Sequence, residues 1–562
     1  MGKNLRRREM TRRGFLAFGA VALAPRAAQC STAVSMWPAT LDLREPVRRS
    51  VQCMIHRMDP AENFRPWFAV DVEDWTPVRL RHDAWDFGDT GGRFLEALIL
   101  ARQMVAPTSE MLLYEEQSRG FVSSLFGPEG LVENLETQRV DHMFAQGSTL
   151  YALVTDYDAN PSPELAERIQ AFIQALDRHA RHAADYLWFP EVATGIAPCS
   201  HQAAYQVLPA VRFYELTHYG PALNYAAGLG RWAFYHDPTV TADGVITRTG
   251  WEGHLHAWMD TFSGIIRCVR AGGSLNRNTV VARSCRLLEW VKRNYTSPFG
   301  WVADSVGSKT CETDTITSFI RLALELIKEG HGEYWNDIER FVRNQLVENQ
   351  FRDVRDLHIR DERTAQGLKG AFESYAHPNT LIALKKGTIE GCCINGGVRG
   401  LFLAYQNAIH ESPDEIRINL LWTGATPGVE VVSYAPHEGR LDLRPTSRRP
   451  LLVRCPDWLL PRSVRVEGAN SVTSVHVGGS NYLRIADAKS GSRITLRFDQ
   501  PEVEKEYRVA GITYKVRWRG DTVTELKPAG KPYPIFARAS LSPGKTPFEP
   551  WNTDFPQPRV HW

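Results

Sequence analysis

The chain has 562 residues, 43% of them hydrophobic and 23% charged, with 66 basic against 64 acidic side chains for a formal net charge of +2. That length leaves room for about three or four domains, or one large domain with an appendage, and the composition excludes a disordered, collagenous or coiled-coil chain. Balanced charge speaks against a nucleic-acid binder, which needs a concentrated excess of Lys and Arg, while 16 Trp exceed what a core requires and suit stacking against a ligand.

The first thirty residues, MGKNLRRREMTRRGFLAFGAVALAPRAAQC, carry a basic stretch, an apolar run from Gly14 to Ala24 and a small-residue segment, the grammar of a signal peptide. The run is about eleven residues against the roughly twenty of a spanning helix, so residues 1–30 predict export and no integral membrane segment. Arg12 and Arg13 before Gly-Phe-Leu resemble a twin-arginine signal, which predicts a periplasmic or secreted protein exported already folded. Cys30 stands near the expected cleavage point, but the Ala-Ala-Gln before it matches a lipoprotein signal poorly. Nine cysteines are an odd number, so in an exported chain at least one stays unpaired, binds metal or is reactive. Cys53, Cys199, Cys268, Cys285 and Cys455 are scattered singly and read as buried small hydrophobes.

From residue 90 to 410 the apolar residues follow a helical period. Ser162 and Pro163 predict a helix start, followed by Leu165, Ile169, Phe172, Ile173 and Leu176 on one face. The same stripe recurs in Ile316, Phe319, Ile320, Ala323 and Leu324, and in Val398, Leu401, Phe402, Tyr405 and Ile409, with further segments at 91–105, 139–156, 199–218, 254–272, 275–295 and 332–350. No short fixed-period repeat is present, which disfavours a solenoid. Paired helices over residues 40–411 predict an (α/α)6-type helical barrel, with loops and ligands gathered at one mouth. Beyond residue 412 the period becomes two, as in Val429-Glu-Val-Val, Arg440-Leu-Asp-Leu and Arg493-Ile-Thr-Leu-Arg-Phe. Residues 412–562 therefore predict an antiparallel β-sandwich, and the chain as a whole an α+β multidomain protein.

Two segments carry chemistry: Ser308-Lys-Thr-Cys-Glu-Thr-Asp-Thr-Ile-Thr and Glu390-Gly-Cys-Cys-Ile-Asn-Gly-Gly-Val-Arg. Each sets thiols and carboxylates just before an amphipathic helix, and adjacent cysteines form only a strained disulfide, so Cys392 and Cys393 suggest metal ligation or thiolate chemistry. Such a soft anionic cluster suits Zn²⁺. Taken singly, Asp314 is also a good helix N-cap, Glu312 complements a helix dipole, and a lone buried cysteine is usually inert.

The two segments, in this order and ahead of Leu451-Leu-Val-Arg-Cys-Pro-Asp-Trp, resemble glycoside hydrolase family 127, whose studied activity is β-L-arabinofuranosidase. Asp86-Phe-Gly-Asp-Thr-Gly-Gly-Arg and Gly253-His-Leu-His-Ala-Trp also look like parts of the family barrel. The resemblance implies that Glu312 is a metal-binding glutamate, Cys392 both nucleophile and ligand, and Cys393 a ligand. The family's third cysteine falls on Asp314, so either Asp314 supplies an oxygen ligand or Cys311 supplies a thiolate from a shifted register. His254 and His256 are the implied substrate-binding pair, and a further family histidine falls on Ser148. The implied enzyme is an exported, zinc-dependent, retaining glycosidase acting on an oligo- or polysaccharide through a thioglycosyl intermediate.

The acid/base residue is where the resemblance helps least: Asp304 is the only carboxylate between Trp290 and Cys311. It is the expected proton donor, with Trp301, Val302 and Ala303 to desolvate it. A catalytically silent carbohydrate-binding protein on the same scaffold, and a polysaccharide lyase using a Tyr or His base, are the alternative readings.

Overall fold

The computed structural model describes residues 34–72, 77–189, 203–382, 387–531, 533–536, 538, 541 and 546–562. The signal-like residues 1–30, with Cys30, and Cys199 lie outside them.

The helical region alternates between an outer and an inner layer. The outer helices are α1 (Arg44–His56), α3 (Ser109–Ser124), α5 (Pro163–His179), α7 (Gly220–Arg231), α9 (Arg277–Tyr295) and α11 (Trp335–Phe341). The inner ones are α2 (Gly92–Ala101), α4 (Met143–Ala159), α6 (Val207–Thr217), α8 (Leu255–Arg270), α10 (Thr313–Ile327) and α12 (Gly391–Ala408). Each inner helix packs on the next, and α12 returns to α2, so the ring closes in the manner of an (α/α) barrel.

Local sequence explains where the helices begin. Ser162 Oγ accepts the Leu165 N–H at 3.2 Å and Pro163 fills the first turn of α5, whose Ile169, Phe172, Ile173 and Leu176 are buried. The outer helices are one-sided in this way. Inner helices are buried nearly all round, every residue from Thr313 to Leu326 included, because outer helices cover one face and the barrel interior the other.

Charges in that interior are paired, as buried charges must be. Arg399 Nε meets Glu96 Oε1 at 2.9 Å and Arg321 Nη1 meets Asp260 Oδ2 at 3.0 Å.

The β-rich remainder holds two five-stranded sheets, built on Leu451–Arg454 and Ser480–Ile485 in one and on Val429–Ser433, Arg440–Pro445 and Ile494–Arg497 in the other. Ile418, Val453 and Leu483 of the first share an apolar cluster with Val431, Leu443 and Leu496 of the second. One pairing departs from the expected antiparallel pattern: Ile416–Ile418 runs parallel to Leu451–Arg454. Between them the chain passes through three strands of the other sheet and re-enters in its original direction. A three-stranded meander, Glu502–Val509, Ile512–Arg519 and Thr522–Lys527, instead packs its Tyr514, Val516 and Val523 into the helical core. Trp562 reaches the same core, with its Nε1–H donating to Thr155 Oγ1 at 3.0 Å.

Candidate active site and metal centre

A cavity of about 200 Å³ opens where the inner helices begin. Arg93 comes from the first turn of α2 and Asp89 from the Asp86–Gly91 turn before it, Phe144 from α4, His254 and His256 from the start of α8, and Glu312 and Asp314 from the start of α10. Glu390 and Cys392 come from α12, while Phe68, Trp85, Trp251 and Tyr375 supply further aromatic wall. Helix N-termini carry partial positive charge, so several dipoles converge on this acidic, thiol-bearing floor.

Sequences 80 residues apart meet here because α10 and α12 cross closely. A Cβ at Gly396 would fall 2.2 Å from Asp314 Oδ1, so glycine at this position lets Asp314 approach the cysteine pair. Ligand atoms of Asp314, Cys392 and Cys393 all lie within 4.8 Å of one another. The two sulfurs are 3.9 Å apart and both thiols are free.

This floor fits a soft divalent cation. It offers two sulfurs and a carboxylate, the donor set that suits Zn²⁺. Among the described residues Asp314 Oδ1 is buried without a hydrogen-bond partner, a costly state that a cation would relieve. Burial pushes the Asp314 carboxyl up to about 6, with Arg93 and Arg399 pulling it down. Contact with Cys393, then burial, raises the Cys392 thiol, and burial raises that of Cys393. Glu312 is driven well above the usual carboxylate range by burial and by the charges of Cys393, Asp304 and Glu390. With so many acids desolvated together, the charged forms need a cation.

Glu312, not Asp314, holds the N-cap position of α10, and its side chain makes no capping hydrogen bond. It stands instead 3.4 Å from His254 Nε2. Cys311 lies away from the three-residue group: its sulfur is 3.9 Å from Asn349 Nδ2 and beside Glu373. Burial pushes Glu373 up to about 8.

The histidines are both buried. His254 packs against Trp251 with ring centroids 5.1 Å apart, and burial lowers its pKa to about 3, so it is neutral. His256 Nε2 is 3.4 Å from Arg93 Nη2 and its Nδ1 is 2.9 Å from Ser318 Oγ. Guanidinium only donates, so Nε2 accepts and Nδ1 carries the proton. Ser148 Oγ donates to Asp89 Oδ1 at 2.6 Å, and Asp89 in turn holds Arg93 Nε at 2.8 Å.

Asp304 is not among the residues lining this cavity. Its Oδ1 accepts from Ser305 N at 2.8 Å, a turn arrangement, although its charge is felt at Glu312. Glu390 does line the cavity. Its Oε2 is 3.5 Å from Cys392 Sγ and its Oε1 accepts from the Tyr375 hydroxyl at 3.0 Å. Sequence reasoning passed over Glu390 and Arg93 as site residues. The position of Glu390 two residues before the cysteine pair was its signal, and that of Arg93 was its place at the end of the Asp86-Phe-Gly-Asp-Thr-Gly-Gly-Arg segment.

No family model matches the sequence, and no curated protein matches it. Solved structures do. A GH127 β-L-arabinofuranosidase from Geobacillus stearothermophilus T6 superposes with a TM-score of 0.61 at 12% identity, over 87% of this chain and 86% of that one. A GH127 β-arabinofuranosidase gives 0.64 at 16% identity, over 88% and 84%. A third structure, titled a glycoside hydrolase, gives 0.60 at 12%, over 88% and 81%. At these identities the likeness is one of fold.

Proposed function

We propose that this chain is a retaining glycoside hydrolase that removes a terminal β-L-arabinofuranosyl-type sugar, with Cys392 as nucleophile. The observation that carries this reading is the convergence of Asp314, Cys392 and Cys393 within 4.8 Å on the floor of a sugar-sized cavity. The fold shared with GH127 structures supports it.

Asp314, Cys392, Cys393 and the adjacent Glu312 would hold Zn²⁺, whose charge, when bound, would keep the thiols ionised at neutral pH. Cys392 Sγ then attacks the anomeric carbon, forming an S–C bond as the glycosidic C–O bond breaks. We assign the proton transfers to Glu390, on the cavity wall 3.5 Å from Cys392 Sγ. It protonates the leaving oxygen, then takes a proton from the water that attacks the same carbon and releases the thiolate. Tyr375 orients Glu390 through its hydrogen bond. Asp304, the expected donor on sequence grounds, remains the competing assignment. Neutral His254, with Trp251 and Phe144, would bind the sugar's hydroxyls and C–H face, and His256, held by Arg93 and Ser318, would contribute ring surface to the same wall. Export by the twin-arginine route, which suits a protein loaded with metal before transport, is part of the same proposal, and cell fractionation tests it.

The deciding experiment is incubation of purified protein with a nitrophenyl β-L-arabinofuranoside and with arabinose-bearing oligosaccharides, following the anomer released by NMR. Release of the retained anomer is expected. Binding without turnover would make the protein a silent carbohydrate binder, and an unsaturated, ultraviolet-absorbing product would make it a lyase.

A further inference from the structure

A second cavity, of about 380 Å³, shares no lining residue with the barrel mouth. It lies where outer helix α11 meets the β-rich region. Arg340 comes from the helix, Asp457 and Trp458 follow the strand Leu451–Arg454, and Tyr507 and Trp518 come from the meander.

Aromatic surface dominates the inside. Tyr507 and Trp518 meet edge-to-face at 6.5 Å and 89°. Trp458 lies over the backbone at Gly520, where an added Cβ would come within 3.0 Å of the indole. Trp518 is 5% exposed, and its indole N–H faces the Tyr507 hydroxyl.

The rim is polar and neutral in sum. Arg340 pairs with Asp457 and also, through Nε, with Asp521 Oδ1 at 2.7 Å. Lys505 on the exposed edge balances the second carboxylate. Arg340, the cation on the inner wall, is already committed to two carboxylates, and Lys505 stands at the exposed edge, so a ligand seated inside meets no uncommitted positive charge there. A pair of neighbouring sugar hydroxyls, each both donor and acceptor, matches an Asp beside an Arg, and the C–H face of the ring matches the aromatic planes.

We propose that this cavity is a second, non-hydrolytic binding site for a neutral polysaccharide chain. It would hold the polymer while the barrel mouth acts on the polymer's ends. Only that last role rests on the glycosidase reading; the binding itself does not.

The test is native electrophoresis of the full chain carrying Cys392→Ser, in gels containing branched arabinan, arabinoxylan or mannan. At least one polymer should retard the protein. Adding Trp458→Ala or, separately, Asp457→Ala should weaken that retention about tenfold, the scale of one lost stacking or charge-assisted contact. Asp457 is on the rim and half exposed, so its variant stays informative if Trp458→Ala lowers the melting point. With Cys392 restored, both variants should hydrolyse a nitrophenyl glycoside as the parent does. No retardation by any polymer, or retardation unchanged in both variants, overturns the proposal while leaving the glycosidase reading intact. Retardation that depends on Trp458 and Asp457, in a protein that cleaves no glycoside, upholds this site and sinks the glycosidase reading instead.

Discussion

Arg93 Nη1 donates to Asp314 Oδ2 at 3.1 Å across the barrel interior, joining residues 221 positions apart. Asp89 anchors the other side of the guanidinium, so one carboxylate positions Arg93 and Arg93 positions the other. Removing the guanidinium would leave two carboxylates buried and unpaired. Arg93→Met should therefore cost about 3–5 kcal/mol of stability, read as a lower urea midpoint. A midpoint within error of the parent would show that the pair contributes nothing.

Gly396 is the steric partner of the same carboxylate. Since a Cβ there would sit 2.2 Å from Asp314 Oδ1, Gly396→Ala should push α10 from α12 and separate Asp314 from the cysteine pair. Metal content should fall sharply in the purified variant while far-ultraviolet circular dichroism stays helical. Undiminished metal would mean that Asp314 is not a ligand.

The two roles proposed for the cysteine pair have different readouts. Cys393→Ser should lower zinc from about one ion per chain, the number one such site binds. Cys392→Ser should abolish hydrolysis with the fold retained. Iodoacetamide should label Cys392 slowly with metal bound and rapidly after chelation, since the labelling agent competes for the ligand sulfur. Turnover surviving in Cys392→Ser would end the thiolate mechanism.

Glu390 and Asp304 can be separated with two substrates. A general acid matters most when the leaving group is a poor one. Glu390→Gln should lose activity steeply on an alkyl glycoside and much less on a nitrophenyl glycoside, while Asp304→Asn should affect both about equally or neither. The reverse pattern would return the role to Asp304.

Glu325 predicts a pH-dependent stability far from the site, toward the other end of α10. Burial alone would raise its pKa, but Lys328, Arg270 and Arg267 hold it down to about 2 from 4.5. A depressed folded-state pKa contributes stability above the unfolded value that is lost as pH falls from 4.5 toward 2, and here the amount is about 3 kcal/mol. Glu325→Gln should thus be less stable than the parent at pH 7, with the gap closing toward pH 2. An unchanging gap would assign the loss to packing rather than charge.

The sequence alone determined the elements with a wet face and a dry face. The stripe of α5 and its Ser162 cap were legible because one side of the helix meets solvent, as were the alternating strands Val429–Ser433 and Arg440–Pro445. Strand Val472–Val477 was not legible, since it is largely exposed on both faces and carries little alternation. Glu312, Asp314, Cys392 and Cys393 stood out as candidates too, because thiols and carboxylates beside a helix start are conspicuous in any context.

Tertiary structure decided how these residues meet. Whether Asp314 or Cys311 stands with the cysteine pair depends on the rotation of α10 against α12, which the Gly396 contact sets and helical period does not encode. The same holds for Arg93, whose partner Asp314 lies on another helix, and for Glu390, whose partner Tyr375 lies on a separate loop. In a ring of inner helices each strand of sequence delivers only one or two side chains to the mouth, so the site is assembled from contacts hundreds of residues apart. Local pattern fixes which face of a helix is apolar; only closure of the ring fixes which of its first-turn residues look at one another.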